Sequence, residues 1–240
     1  TITGSTDHAV TINLGGTLTI GGNGYVLGIS GKSAIFNNGT VVINSGTYKK
    51  ASDTDKSYYV LTNHGNMTIN GGTVQLLVEY VAGQSHASLV ENGYYDYTST
   101  KPLYGYVAGV NNSDPTLVIN GGTFNGGLNT VKNDDNATLE IKGGTFKNNI
   151  QVAVMNWNVA TISGGTFEVP LGNDKTTIAS GSYGVDSVDK GLLKITGGTF
   201  KGEYVIEDIN YAKTINDVEV TGGVFESTIG FSRTSDTIND

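Results

Sequence analysis

The chain has 240 residues, 35 Gly, 3 Pro, no Cys and a net charge of −8. The absence of Cys excludes disulfides, thiolate metal sites and Cys nucleophiles. With 14 Lys+Arg in all, and Arg233 the only Arg, there is too little positive charge to displace counterions from a nucleic-acid backbone or to hold an anionic membrane surface. No run of 18 apolar residues is available for a spanning helix.

Read in chain order, one eight-residue phrase keeps returning. A degenerate copy, "LTIGGNGY" (18–25), is followed by "VVINSGTY" (41–48), "MTINGGTV" (67–74), "LVINGGTF" (117–124), "LEIKGGTF" (139–146), "ATISGGTF" (160–167), "LKITGGTF" (193–200) and "VEVTGGVF" (218–225). The aliphatic anchors are Ile20, Ile43, Ile69, Ile119, Ile141, Ile162, Ile195 and Val220. Their spacings are 23, 26, 50, 22, 21, 33 and 25 residues, and without the 50 they average 25. A fixed period of this size is the signature of a repeat architecture.

The phrase has the physics of a strand that ends in a corner. Leu117 and Ile119 alternate with Val118 and Asn120, the period of two that sends one set inward. The Gly pair then breaks the strand, since Gly reaches positive φ without a Cβ clash. The corner resets the facing, so that Phe124 points back inside. A unit of this length cannot bury its own apolar face, whereas stacked units can, each strand bonding to its equivalent about 4.8 Å away. Stacking predicts an interior column of Tyr48, Phe124, Phe146, Phe167, Phe200 and Phe225, with Val74 substituting once. A Thr ladder (Thr47, Thr73, Thr123, Thr145, Thr166 and Thr199) is expected beside it.

A second strand precedes each phrase and ends in a polar residue: "AIFN" (34–37), "VLTN" (60–63), "GVNN" (109–112), "TVKN" (130–133), "AVMN" (153–156), "VDS" (185–187) and "VIED" (205–208). Asn37, Asn63, Asn112, Asn133 and Asn156 are expected to stack as an amide ladder closed by Ser187 and Asp208. The expected fold is therefore all-β: a single-stranded right-handed parallel β-helix of about 8–10 coils of ~21–26 residues, forming one domain over residues 1–240. Residues 10–230 resemble the right-handed parallel β-helix superfamily of pectate lyases and polygalacturonases. The "TIxGGTF" run is most similar to Gly-rich repeats in large surface proteins of Gram-positive gut bacteria. That resemblance implies a secreted or cell-surface bacterial protein, with a β-like start (Thr1-Ile2-Thr3-Gly4) and polar end that read as a piece of a longer polypeptide.

Three stretches break the period, at 49–58, 168–183 and, largest, 75–106. All three are expected between the phrase aromatic and the second strand, hence on one edge of the solenoid, where inserted loops build binding faces. The largest carries Tyr94, Tyr95, Tyr97, Tyr104 and Tyr106, whose flat rings and hydroxyls suit sugars and protein surfaces alike. These five, with Trp157 in "MNWN", are the candidate ligand-binding residues.

Catalytic signals are sparse. The resemblance to polygalacturonases implies Asp residues, a His-Gly and an Arg-x-Lys on one wall. Here His64-Gly65 and Asp134-Asp135 are present, but no Arg-x-Lys is. A β-elimination lyase needs a basic residue beside an acid cluster, for which Lys132 with Asp134 and Asp135 is the best available trio. No catalytic residue is expected; the fallback set for a hydrolase or lyase is His64, Lys132, Asp134 and Asp135. No cofactor is expected, Ca²⁺ at some of Asp186, Asp189, Asp208 and Asp217 being the one metal to consider. The leading functional expectation is a non-catalytic adhesin or recognition module binding a glycan or host protein. A structural stalk is the second reading, and a polysaccharide lyase or glycoside hydrolase the third.

Overall fold

The computed structural model describes residues 5–6, 9–21, 25–28, 32–50, 59–79, 81–82, 84, 86–94, 106, 112–172, 175–182, 190–210 and 218–235. They hold 24 strands and no helix. Every strand-to-strand pairing is parallel, in one sheet of 16 strands and one of 8. The chain is a parallel β-helix, and its strands fall into three stacks.

The 8-stranded sheet is the phrase stack: Thr17–Ile20, Thr40–Ile43, Asn66–Ile69, Thr116–Ile119, Thr138–Ile141, Val159–Ile162, Leu192–Ile195 and Val218–Val220. It counts eight coils, and the aliphatic anchors lie in register from Ile20 to Val220. All seven Ile anchors are fully buried. After the Gly corner comes the aromatic stack, beginning at Ser5–Thr6 and Tyr25–Gly28 and continuing through Thr47–Lys50, Thr73–Leu76, Thr123–Gly126, Thr145–Lys147 and Thr166–Glu168. The third stack, of asparagine strands, comprises Val10–Ile12, Ile35–Asn37, Leu61–Asn63, Val90–Asn92, Asn129–Asn133, Val152–Asn156 and Thr176–Ser182. Two 12-residue strands, Thr199–Asn210 and Val224–Ser235, run through both of these stacks without a break, which joins them into one sheet.

The expected columns form. Tyr48, Val74, Phe124, Phe146, Phe167, Phe200 and Phe225 are in register. From Phe124 onward the rings stack nearly parallel, with centroids 4.7, 4.7, 4.8 and 5.2 Å apart. The spacing is that of the backbone ladder, so β-sheet hydrogen bonding and ring stacking are satisfied by one geometry. The Gly pair has two separate causes. Gly144 sits at φ 109°, a conformation that L side chains rarely adopt. A Cβ on Gly143 would lie 2.6 Å from the Asn120 carbonyl oxygen of the preceding coil.

The asparagine ladder differs from expectation in its third member. Asn37, Asn63, Asn92, Asn133 and Asn156 are joined Nδ2 to Oδ1 at 2.7–2.8 Å, and Asn156 Nδ2 then donates to Ser180 Oγ at 2.9 Å. Asn92 replaces Asn112, and Ser180 replaces Ser187, which lies outside the described residues. Asn112 is half-buried, and its amide donates to Asn66 Oδ1 at 3.4 Å. Each ladder amide spends its second N–H on a backbone carbonyl at the start of a phrase strand, for example Asn92 on Thr138 at 3.0 Å. These side chains close the corner between two strands as well as linking coils.

That correction moves the insertions. Val90–Asn92 lies inside the stretch 75–106, so the excess chain divides into a part before this strand and a part after it. From Asn92 the next phrase strand begins only at Thr116, whereas the same corner elsewhere runs from Asn63 to Asn66 or from Asn156 to Val159. Residues 168–183 likewise contain a strand, Thr176–Ser182, buried along its whole length. The largest excess therefore leaves the solenoid at the corner after the asparagine, not at the corner before that strand.

Candidate functional site

Alternation along the asparagine strands turns one row of side chains outward: Phe36, Thr62, Glu91, Lys132, Met155, Ala179, Glu207 and Arg233, all in register. An outward row on a solenoid should be wet. Here Thr62, Glu91, Met155, Ala179 and Glu207 are buried, so this face is covered by the chain itself. Two clusters fill it, one apolar and one ionisable.

The apolar cluster is Val152, Met155, Trp157, Ala179 and Ile209. Trp157 is 6% exposed, and its carbonyl accepts from the backbone N–H of Lys190 at 2.8 Å. Trp157, expected near the surface as a ligand-binding residue, is instead buried, packed with Val152, Met155, Ala179 and Ile209. An aromatic after an Asn turn looks like a surface residue only if that turn is a bare corner, and here Lys190 and Gly191 fold back onto it.

The ionisable cluster contains three of the four fallback residues. Lys132 Nζ is 2.9 Å from Asp134 Oδ1, and His64 Nε2 is 4.0 Å from Glu91 Oε2. Glu91 joins the two pairs, hydrogen-bonded to Asp134 on one side and to Tyr59 on the other. A hydrogen bond between two carboxyl groups needs a proton on one of them. Burial, reinforced by the negative charge of Asp134 and opposed by Lys132, pushes the Glu91 carboxyl up to about 8, so at neutral pH it is the proton donor. Burial also raises the Asp134 carboxyl, against the pull of the Lys132 ammonium. For Lys132 itself, burial acts downward, but Asp134 and Glu91 outweigh it and hold it above its ordinary value. The result is one positive charge, one negative charge and one neutral acid: a compensated buried network. Asp135 is brought near by its backbone, which forms an antiparallel bridge with Tyr94.

Tyr94 is fully buried, which corrects its place in an exposed aromatic patch. Its ring packs against His64, with centroids 4.5 Å apart, and His64 in turn meets Phe36 edge-on at 5.0 Å. Its hydroxyl donates to the Asn112 carbonyl at 2.5 Å, with the His64 carbonyl 3.1 Å away. Tyr94 thus ties the start of the insertion to its end. Tyr106 is half-buried, edge-on to Tyr94 at 5.2 Å. Tyr95, Tyr97 and Tyr104 lie outside the described residues. Burial pulls the His64 imidazole down to about 4, so it is neutral at physiological pH.

Sequence reasoning missed Glu91 and Tyr59. The signal was available: "LVEN" (89–92) has the form of "VLTN" and "TVKN", and aligning the three places Glu91 directly beside Lys132. Of the acids considered for Ca²⁺, Asp208 stands in register with Ser180, and Asp186, Asp189 and Asp217 lie outside the described residues. Among the described residues no three His, Asp or Glu side chains are placed to hold a metal ion. The cluster has the composition of an acid–base site, yet Glu91 and Asp134 are 6% and 2% exposed. No family model matches the chain, and no curated protein or solved structure is detectably similar to it.

Proposed function

We propose that this chain is a non-catalytic extracellular module: a stiff β-helix that carries recognition loops for a glycan or a host protein. The observation that carries the reading is where the excess chain leaves the solenoid. After the asparagine corner, residues 93–115 and 183–191 intervene before the next phrase strand, while the two coils between them, at Asn133 to Thr138 and Asn156 to Val159, turn almost directly. Extra chain gathered at a corner of a solenoid is a usual construction of a binding edge, and the connections 51–60 and 77–89 add chain at the neighbouring corner, before the asparagine strand. The acid–base residues, in contrast, are spent on one another. A secreted bacterial setting is supported by the lack of Cys and by the resemblance of the "TIxGGTF" phrase to Gram-positive surface repeats.

The test is a glycan and mucin-protein array probed with the intact chain and with a variant in which residues 95–111 are replaced by a short Gly-Ser link. Binding that disappears in the variant, with the β-sheet circular dichroism unchanged, supports recognition through this loop. If neither protein binds anything, the stalk reading takes its place. One observation favours a lyase or hydrolase: the convergence of His64, Glu91, Lys132 and Asp134. Assaying a polysaccharide panel for new reducing ends or unsaturated products, with Glu91→Gln as control, decides it.

A further inference from the structure

The last coil of the solenoid presents an unfinished surface. The terminal phrase strand Val218–Val220 and the terminal strand Val224–Ser235 each pair on one side only among the described residues. Val220 continues the Ile column and Phe225 the aromatic column, but both are partly exposed, where the members from Ile20 to Ile195 and from Phe124 to Phe200 are fully buried. Val224, Ile229 and Phe231 add 58%, 53% and 45% exposed apolar side chains on the same strand. At the opposite end Ile20 is fully buried, so the two ends are not equivalent.

The charges on the outer rows say what fits there. Behind the aromatic column, Lys147, Glu168, Lys201 and Glu226 are in register and alternate in sign. The Lys147–Glu168 pair is closed at 3.4 Å. In the phrase stack Lys194 pairs with Glu219 at 3.0 Å. Both rows therefore end on an exposed Glu, and each pattern calls next for a cation. A second copy of this chain, stacked head to tail in the same register, would bring Thr19 over Glu219 and the first aromatic-stack strand, Ser5–Thr6, over Val224–Phe225, which sets no cation over Glu219 and no ring over Phe225.

We propose that this face docks one further coil of the same kind, in parallel register. That coil carries an aliphatic residue over Val220, an aromatic ring over Phe225 and Lys over both Glu219 and Glu226. The interface it makes is the one already repeated between successive coils inside the molecule. The chain contains one segment with this pattern, residues 191–210, where Lys194, Ile195, Phe200 and Lys201 hold the four positions.

The experiment appends a second copy of residues 191–210 after Asp240 of the full chain. Two controls carry the same extension with both interface Lys changed to Glu, or the same residues scrambled. Hydrogen–deuterium exchange is read at Val218–Val220 and Val224–Ile229, and thermal unfolding is followed alongside. The matched extension is expected to slow exchange there by at least about tenfold and to raise the midpoint by about 2–4 °C. The Lys→Glu extension is expected to give a clearly smaller effect, and the scrambled one none. Equal protection by matched and scrambled extensions, or no protection by either, overturns the proposal. So does a dimer of the unextended chain in sedimentation whose terminal strands are already protected, because the occupant would then be a second copy.

Discussion

At the scale of single residues, the two glycines of each phrase answer to different forces, and substitution separates them. A Cβ on Gly164 would meet the Lys142 carbonyl oxygen at 2.3 Å, whereas one on Gly21 would meet nothing within 4 Å. Gly164→Ala is therefore expected to destabilise by roughly 2–3 kcal/mol, in the range of overpacking. Gly21→Ala, in the first coil at the position that Ser163 holds beside Gly164, should stay within about 0.5 kcal/mol of the parent. Urea denaturation of the two variants checks both, and equal losses would contradict the steric account. The ionisable cluster makes a second residue-scale prediction. Unfolded Glu91 ionises near 4.5 but keeps its proton to about 8 when folded. Its contribution to stability is complete below pH 4.5 and is lost as pH rises through 8. His64 has the opposite sign: held down to about 4 from 6.5, it favours the fold above pH 6.5, and that share is lost as pH falls through 4. Glu91→Gln keeps a donor for Asp134 without the titration. It should be more stable than the parent at pH 9, by on the order of 2 kcal/mol, with little difference near pH 5. Parallel pH profiles for the two proteins would show that Glu91 is not the group responsible.

At the scale of elements, the ladders explain what could be read from the sequence and what could not. The Ile and Phe columns were legible because the phrase fixes the distance from anchor to ring: Ile119 to Phe124 and Ile141 to Phe146 are the same interval. Only the backbone period and one corner intervene. The asparagine strand was less legible because the chain between it and the next phrase varies in length. Choosing the Asn nearest to the phrase gave Asn112, whereas the strand that pairs with Leu61–Asn63 is Val90–Asn92. That one misplacement hid Glu91, and with it the connection between His64 and Lys132. The burial of Tyr94 was hidden for the same reason, since nothing local in "NGYYDY" marks a ring that will pack against His64, thirty residues earlier. The columns also carry measurable stability. Phe167 is stacked on Phe146 and Phe200 at 4.7 and 4.8 Å and is fully buried. Phe167→Ala is expected to cost about 3–5 kcal/mol in guanidinium unfolding, and a loss below about 1 kcal/mol would mean that neighbouring coils collapse into the gap.

At the scale of the whole molecule, each coil touches chiefly the coils before and after it, so stability is close to a sum of nearest-neighbour terms. Ends then open before the middle. The amides of Val218–Val220 should exchange at least about tenfold faster than those of Leu139–Ile141, whose strand is paired on both sides. Uniform exchange along the phrase stack would instead indicate one all-or-none unit. The asparagine ladder adds something the backbone does not have, which is a sense of direction. From Asn37 to Asn156 every Nδ2 points to the following coil, and from Asn63 to Asn156 every Oδ1 accepts from the preceding one. A single amide cannot turn over, because its NH₂ would then face another NH₂. The file is ordered like a row of dominoes, and its polarity is set as a whole. Its tolerance to error should consequently depend on position. Asn92→Asp sets an acceptor against the acceptor of Asn133 and has no local remedy. Asn156→Asp loses its bond to the Leu192 carbonyl, as Asn92→Asp loses the one to Thr138, but along the ladder it faces Ser180, whose hydroxyl can swing from the Gly191 carbonyl to donate to the new carboxylate. The same isosteric change should therefore be mild at the last amide and severe in the middle, so that the row can be ended gracefully but not interrupted.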